Sequence, residues 1–148
     1  MSEFSLVGLV IVTHGGCGEC LLGAASGIVG PVPASAAVSV SQDEEFGDIV
    51  RQVSDACDQV DSGSGVLILA DVHGSSPFRA CLAMVDGTRP VEIVCGVNLP
   101  MLIKLATCDR RGLRPAEVAE LIKEVGKRSI RLGSELTAKV PVTGEHHR

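Results

Sequence analysis

Aromatic residues are nearly absent from this chain, which has no Trp, no Tyr and three Phe. Stacking platforms for single-stranded nucleic acid are therefore missing. The net charge is −5, and no Lys/Arg cluster is denser than Lys127, Arg128 and Arg131, so the electrostatic footprint that phosphate backbones require is missing as well. No apolar run reaches the roughly 18 to 20 residues of a membrane helix. The start Met1-Ser2-Glu3-Phe4 lacks the basic flank of a secretion signal, and a cytoplasmic chain is expected. Also lacking are a P-loop motif, an obvious carboxylate cluster for Mg²⁺, internal repeats and a Pro-rich linker. Phosphoryl transfer from ATP loses its usual parts.

The 148 residues suffice for one domain with a real core and are too few for two of ordinary size. Hydrophobic residues make up 45% and charged residues 21%, with mean hydropathy +0.32, a balance that excludes disorder over most of the length. Six cysteines without a secretion signal read as buried small hydrophobes, reactive thiols or metal ligands rather than as a disulfide framework. Cys57, Cys81, Cys95 and Cys108 fall among apolar neighbours and read as core packing.

The stretch that organises the rest is Leu9-Val10-Ile11-Val12-Thr13-His14-Gly15-Gly16. An unalternated apolar run suits a strand covered on both faces, and it ends abruptly in one imidazole and two glycines. Cys17 to Val29 follows with helical spacing and stops at Gly30-Pro31. Ala36 to Val40 reads as a short strand. The cluster Asp43-Glu44-Glu45 suits the first turn of the amphipathic helix that carries Phe46, Ile49, Val53, Ala56, Cys57 and Val60. Val66 to Ala70 is a second strongly buried strand, ending in Asp71. Ser76-Pro77 reads as an N-cap and N1 pair opening a helix over Phe78 to Val85. Val91 to Cys95 is a fourth strand, Gly96 to Pro100 leads into another helix, and Pro115 begins the longest helical pattern. Strands alternating with helices predict an α/β fold, a mostly parallel sheet with helices on both faces. Thr143 to Arg148 reads as a solvated tail.

Two strands then deliver polar groups to the same carboxyl edge, Thr13 and His14 after the first, Asp71 and His73 after the third. Such loops meet at a topological switch point. A carboxylate on one imidazole nitrogen fixes the tautomer and leaves the other nitrogen bare and nucleophilic. The turns Gly15-Gly16 and Gly74-Ser75-Ser76 precede helices whose free N–H groups favour an anion, for which phosphate is the natural choice. Ser76 is placed to cap its helix and to donate to a phosphoryl oxygen.

Three motifs, Thr13-His14-Gly15 with Leu21-Leu22, Asp71 to Phe78, and Gly96 to Leu102, stand in the order and spacing of one family. Over about residues 6 to 135 the chain resembles the EIIA components of the mannose-type (mannose/fructose/sorbose) sugar phosphotransferase system. The resemblance implies that His14 is phosphorylated on Nε2 by the phosphocarrier protein HPr and that the group passes to an EIIB partner, which the extent of the chain leads us to expect as a separate EIIB protein. It implies that Asp71 orients His14 and that Ser76 lies near the phosphate, with Thr13, Gly15, Gly74, Ser75, His73 and Asn98 on the phosphate- and partner-binding rim. No cofactor and no metal is implied. It further implies an α/β sandwich homodimer with a C-terminal strand swapped between subunits, here between Ser129 and Val142. Any membrane permease components would be met peripherally. The domain would occupy residues 1–135, with a C-terminal segment and tail at 136–148. His73 departs from the aromatic residue, and Ser75 from the glycine, frequent in relatives.

Rival readings remain at three places. His14-x-x-Cys17-x-x-Cys20 has zinc-like spacing, so a metal-binding or thiol redox-sensing module is the alternative to phosphotransfer. The same spacing also puts both cysteines on one helix, where burial in an apolar face would explain them. His73 suits a second layer behind His14, the partner-facing rim, or plain exposure. Asn98 is either a turn residue tying down backbone or a member of the site.

Overall fold

A computed structural model of the chain describes residues 5–137. Its elements are β1 (Gly8–His14), α1 (Cys17–Val29), β2 (Ser35–Val40), α2 (Phe46–Val60), β3 (Val66–Ala70), α3 (Ser76–Leu82), β4 (Val91–Cys95), α4 (Leu99–Thr107), α5 (Pro115–Arg128) and α6 (Gly133–Thr137). The strands form one parallel sheet in the order β2-β1-β3-β4. The chain thus runs outward from β1 to β2, then returns to the other side of β1 for β3. That reversal opens the crevice between β1 and β3.

Alternation along β1 explains the layers. Leu9 and Ile11 pack with Leu67 and Leu69 under α1, α4 and α5, while Val10 and Val12 pack with Ile68, Val38 and Val40 under α2 and α3. Both faces are covered, which is why β1 and β3 read as continuous apolar runs. Ser5, Thr13, Ser64 and Arg110 are the polar residues within this buried set. Arg110 is 1% exposed, and its guanidinium donates to the carbonyls of Val7, Leu105 and Pro33, tying the amino-terminal edge of the sheet to the end of α4.

Several local expectations are corrected. The cluster Asp43-Glu44-Glu45 precedes α2 rather than forming its first turn: Glu45 is the N-cap, and Glu44 accepts the Ser41 N–H at 2.7 Å and a bond from the Gln52 amide. The N-cap of α3 is Ser75, not Ser76. Ser75 is extended (φ −84°, ψ 171°), and its hydroxyl accepts the Phe78 N–H, so Pro77 falls at the second helical position. Helix α3 ends at Leu82, and tight i to i+3 turns at Ala83, Met84 and Val85 carry the apolar spacing onward. At 15 residues α2 exceeds α5, which has 14. Cys57 and Cys81 are buried as expected, while Cys95 and Cys108 are only half-buried. Of the segment expected to hold a swapped strand, the described part ends in the single turn of α6. Residues 138–142 and the tail lie outside the described residues.

Candidate phosphotransfer site

His14 is the last residue of β1, half in the ladder and half in solvent, its side chain 50% exposed. The ladder extends one step past β3, the Asp71 N–H donating to the Val12 carbonyl at 3.3 Å, and this sets Asp71 beside His14 across the switch point. Asp71 Oδ2 accepts the backbone N–H of His14 at 2.8 Å and lies 2.9 Å from its Nδ1. Oδ1 accepts the Val72 N–H at 2.8 Å. Burial pushes the Asp71 carboxyl up, but the bonds from the His14 backbone and ring and from Val72 outweigh it and hold the group below the usual carboxylate range. An ionised carboxylate only accepts, so Nδ1 carries a proton, and in the neutral ring the lone pair is on Nε2.

The turn after β1 is built for closeness. Gly15 adopts φ +56° with open space where a Cβ would stand, and its N–H donates to the Val40 carbonyl at 2.9 Å. Helix α1 then starts at Cys17 with Gly16 as N-cap. Thr13 does not lie on a partner-facing rim: it is fully buried, its Oγ1 accepting the Gly18 N–H at 2.8 Å and donating to the Gly15 carbonyl at 3.2 Å. Its hydroxyl locks the strand-to-helix turn and is not offered to a ligand.

On the β3 side, Gly74 (φ +85°) also faces open space. The Ser75 hydroxyl is committed to the Val72 carbonyl and the Phe78 N–H. Ser76 is exposed, its Oγ accepting from Arg79 at 3.2 Å. A cleft of about 300 Å³ lies between His14, Ser76 and the Ser41 to Glu44 turn. His73 rests on Phe78, the ring centroids 5.0 Å apart, and so belongs to the exposed rim rather than behind His14. Asn98 is spent on structure: it caps α4 by accepting the Met101 N–H at 3.2 Å and donates to the Gly126 carbonyl at 3.3 Å.

Cys17 and Cys20 are both exposed, which corrects the expectation of burial. The reason is Gly18, whose missing side chain lets α1 sit directly on Ile11 and Thr13 and turns the flanking cysteines outward. Among the described residues no three His, Cys, Asp or Glu side chains are grouped to hold a metal ion. A metal-binding or redox-sensing module in place of phosphotransfer is not favoured.

Two neighbours escaped the sequence reading. Arg79 reaches Ser76 at the cleft and lies 6.0 Å from the Phe46 ring centroid, and Glu44 lines the cleft from the far side. The i, i+3 spacing of Ser76 and Arg79 was the available signal for the first. For Glu44 there was none short of the register that sets Val40 opposite His14.

A family model described as PTS system fructose IIA component, EIIA-man, matches residues 8–124. The chain belongs to this family. It is a mannose-type EIIA component of the phosphotransferase system. It is 29% identical over 127 residues to the mannose-specific EIIAB component of Escherichia coli, a match that covers 84% of this chain and 39% of that protein. The chain thus spans about two fifths of that relative's length. It is 22% identical over 143 residues to the fructose-specific EIIA component of Bacillus subtilis, covering 97% of each. Among solved structures, the mannose/sorbose IIA subunit of Enterococcus faecalis has a TM-score of 0.75 at 23% identity, covering 93% of this chain and 98% of that one. The EIIA component of Streptococcus agalactiae reaches 0.78 at 19%, covering 88% and 99%. Their fold is this fold. Among the described residues no helix of this EIIA component is long and apolar enough to cross a membrane.

Proposed function

We propose that the protein is a phosphocarrier that accepts a phosphoryl group from phospho-HPr on Nε2 of His14 and passes it to an EIIB partner, for sugar uptake or its regulation. The observation that carries this reading is the bond between Asp71 and Nδ1 of His14 at the switch point. With Nδ1–H held by an ionised carboxylate, the Nε2 lone pair faces the crevice as the nucleophile. As the bond from phosphorus to the donor's nitrogen breaks, the bond to Nε2 forms, and Asp71 stabilises the imidazolium that results. The start of α1, the Ser76 hydroxyl and the Arg79 guanidinium lie where charge on the phosphoryl oxygens needs balancing. Gly15 and Gly74 leave the room that a docking protein requires, with His73 and Ser75 on the rim it would meet.

Incubation with phosphoenolpyruvate, enzyme I and HPr should add one acid-labile, base-stable phosphate. Persistence of the label in a His14→Ala variant would sink the assignment. Family membership also supports a homodimer in the cytoplasm. Among the described residues strand β4 is a sheet edge, and a cleft of about 420 Å³ beside it against α5 suits an added strand from a second subunit. Light scattering reads the mass directly.

A further inference from the structure

Helix α1 opens with Cys17-Gly18-Glu19-Cys20, and phosphotransfer uses neither thiol. Both are exposed, whereas Cys57 and Cys81 are buried and Cys95 and Cys108 half-buried. Residues three apart on an α-helix have Cα atoms about 5 Å apart, inside the range of about 4.4–6.8 Å that a disulfide spans. Their Cβ atoms, about 5–6 Å apart, must approach to about 3.8 Å. Closure would have to shift the backbone at Gly16 and Cys17, beside which a Cβ on Gly15 or Gly16 would meet nothing within 4 Å. The helix body is held, because Gly18 packs on Ile11 and its N–H is fastened to Thr13.

We propose that Cys17 and Cys20 are a dithiol site for thiol–disulfide exchange with low-molecular-weight disulfides, and that the resulting Cys17–Cys20 disulfide slows phosphorylation of His14. The second half rests on the phosphocarrier reading. In the first step the Cys17 thiolate attacks a sulfur of the oxidant, forms a mixed disulfide and expels the other sulfur as a thiolate. The Cys20 thiolate then attacks the Cys17 sulfur and expels the second. Two electrons and two protons pass to the oxidant, which leaves as two thiols. Closing the pair pulls on Gly16 and Cys17, the second and third residues after His14 in the turn that leaves β1. A displacement of about 1 Å near a reacting group is worth up to about 100-fold in rate.

The test is to equilibrate the full chain with graded mixtures of oxidised and reduced glutathione, alkylate the remaining thiols and map the products by mass spectrometry. The oxidised protein, freed of glutathione, is then phosphorylated with phosphoenolpyruvate, enzyme I and HPr. A Cys17–Cys20 disulfide is expected, with Cys57 and Cys81 still reduced. The labelling rate should fall about tenfold or more and recover after prior treatment with dithiothreitol. A Cys20→Ser variant should label at the rate of the reduced protein before and after oxidant. Glutathione retained on Cys17, or any other pairing, overturns the dithiol site. A mapped Cys17–Cys20 disulfide that labels at the reduced rate overturns the control of His14. Reduced protein that takes no label at all overturns the phosphocarrier reading and that control together, while the mass map still decides the dithiol site.

Discussion

Asp71 grips His14 twice with one oxygen, Oδ2 accepting the backbone N–H at 2.8 Å and the ring Nδ1–H at 2.9 Å. The pairing fixes the position of the residue and the tautomer of its ring at once. Residues 57 apart in sequence meet because β1 and β3 are neighbours on opposite sides of the chain reversal.

Replacing Asp71 by Asn should therefore slow phosphorylation by at least roughly 10- to 100-fold, the loss found when a carboxylate that orients a metal-ligating histidine is removed. The same change should flatten the acid limb of stability. The folded pKa of Asp71 is depressed, so its contribution is fully present above the unfolded value of about 3.9 and is lost as pH falls through the lower folded value. Denaturation midpoints between about pH 5 and pH 2 for the parent and Asp71→Asn check the sign.

Ser75 and Ser76 should separate cleanly. Ser75→Ala removes the α3 cap and should cost about 1 kcal/mol in urea unfolding. Ser76→Ala should stay within about 0.5 kcal/mol while lowering the phosphorylation rate. Equal stability losses in the two variants would reverse the cap assignment.

Glycines of α1 should respond in opposite directions. A Cβ at Gly18 would stand 2.9 Å from Ile11 Cγ2 and 3.3 Å from Thr13 Oγ1, so Gly18→Ala should destabilise by about 1–3 kcal/mol. Gly23 has nothing within 4 Å, and Gly23→Ala should stabilise by about 0.5–1 kcal/mol through helix propensity and a less flexible unfolded chain. Urea midpoints decide both.

Arg110→Ala would leave the carbonyls of Val7, Leu105 and Pro33 without their donor. Each orphaned buried acceptor costs about 1–3 kcal/mol, and the total should lie among the largest single-residue effects, at or above about 4 kcal/mol. Arg110→Lys should recover only part, because an ammonium cannot reproduce the guanidinium fork. A loss below about 1 kcal/mol in Arg110→Ala, outside the range for large buried-polar effects, would contradict the clamp.

Burial pushes Cys57 up to about 11 and Cys81 up to about 12, from 9.0. The folded state then holds these protons longer than the unfolded chain does, so stability should fall as pH rises from 9.0 through about 11 and 12. Cys57→Ala and Cys81→Ala should each weaken that alkaline slope. Thiol titration of the native protein at pH 8 should find Cys17 and Cys20 fast, with Cys57 and Cys81 reacting only on unfolding.

Local pattern was enough for much of the fold. Helix α1 runs from Cys17 to Val29 and strand β3 from Val66 to Ala70, as spacing and stop signals predict, because apolar period and Gly-Pro punctuation act over a few residues. The strand end at His14 and the acid at Asp71 were legible for the same reason. What tertiary packing decided was direction and use. Gly18 on Ile11 rotated Cys17 and Cys20 into solvent, where helical spacing alone allowed burial. Nothing in the run Cys108-Asp109-Arg110-Arg111 marks Arg110 for burial, and only the fold brings the carbonyls of Val7 and Pro33 to it beside that of Leu105. Thr13 and Asn98, polar groups at turns, are taken up by the N–H groups of Gly18 and Met101 at the starts of α1 and α4. Period and punctuation name the elements, but which side of an element meets its neighbour depends on contacts far apart in the chain. Only the folded sheet supplies those contacts, and with them the bond from Asp71 to His14.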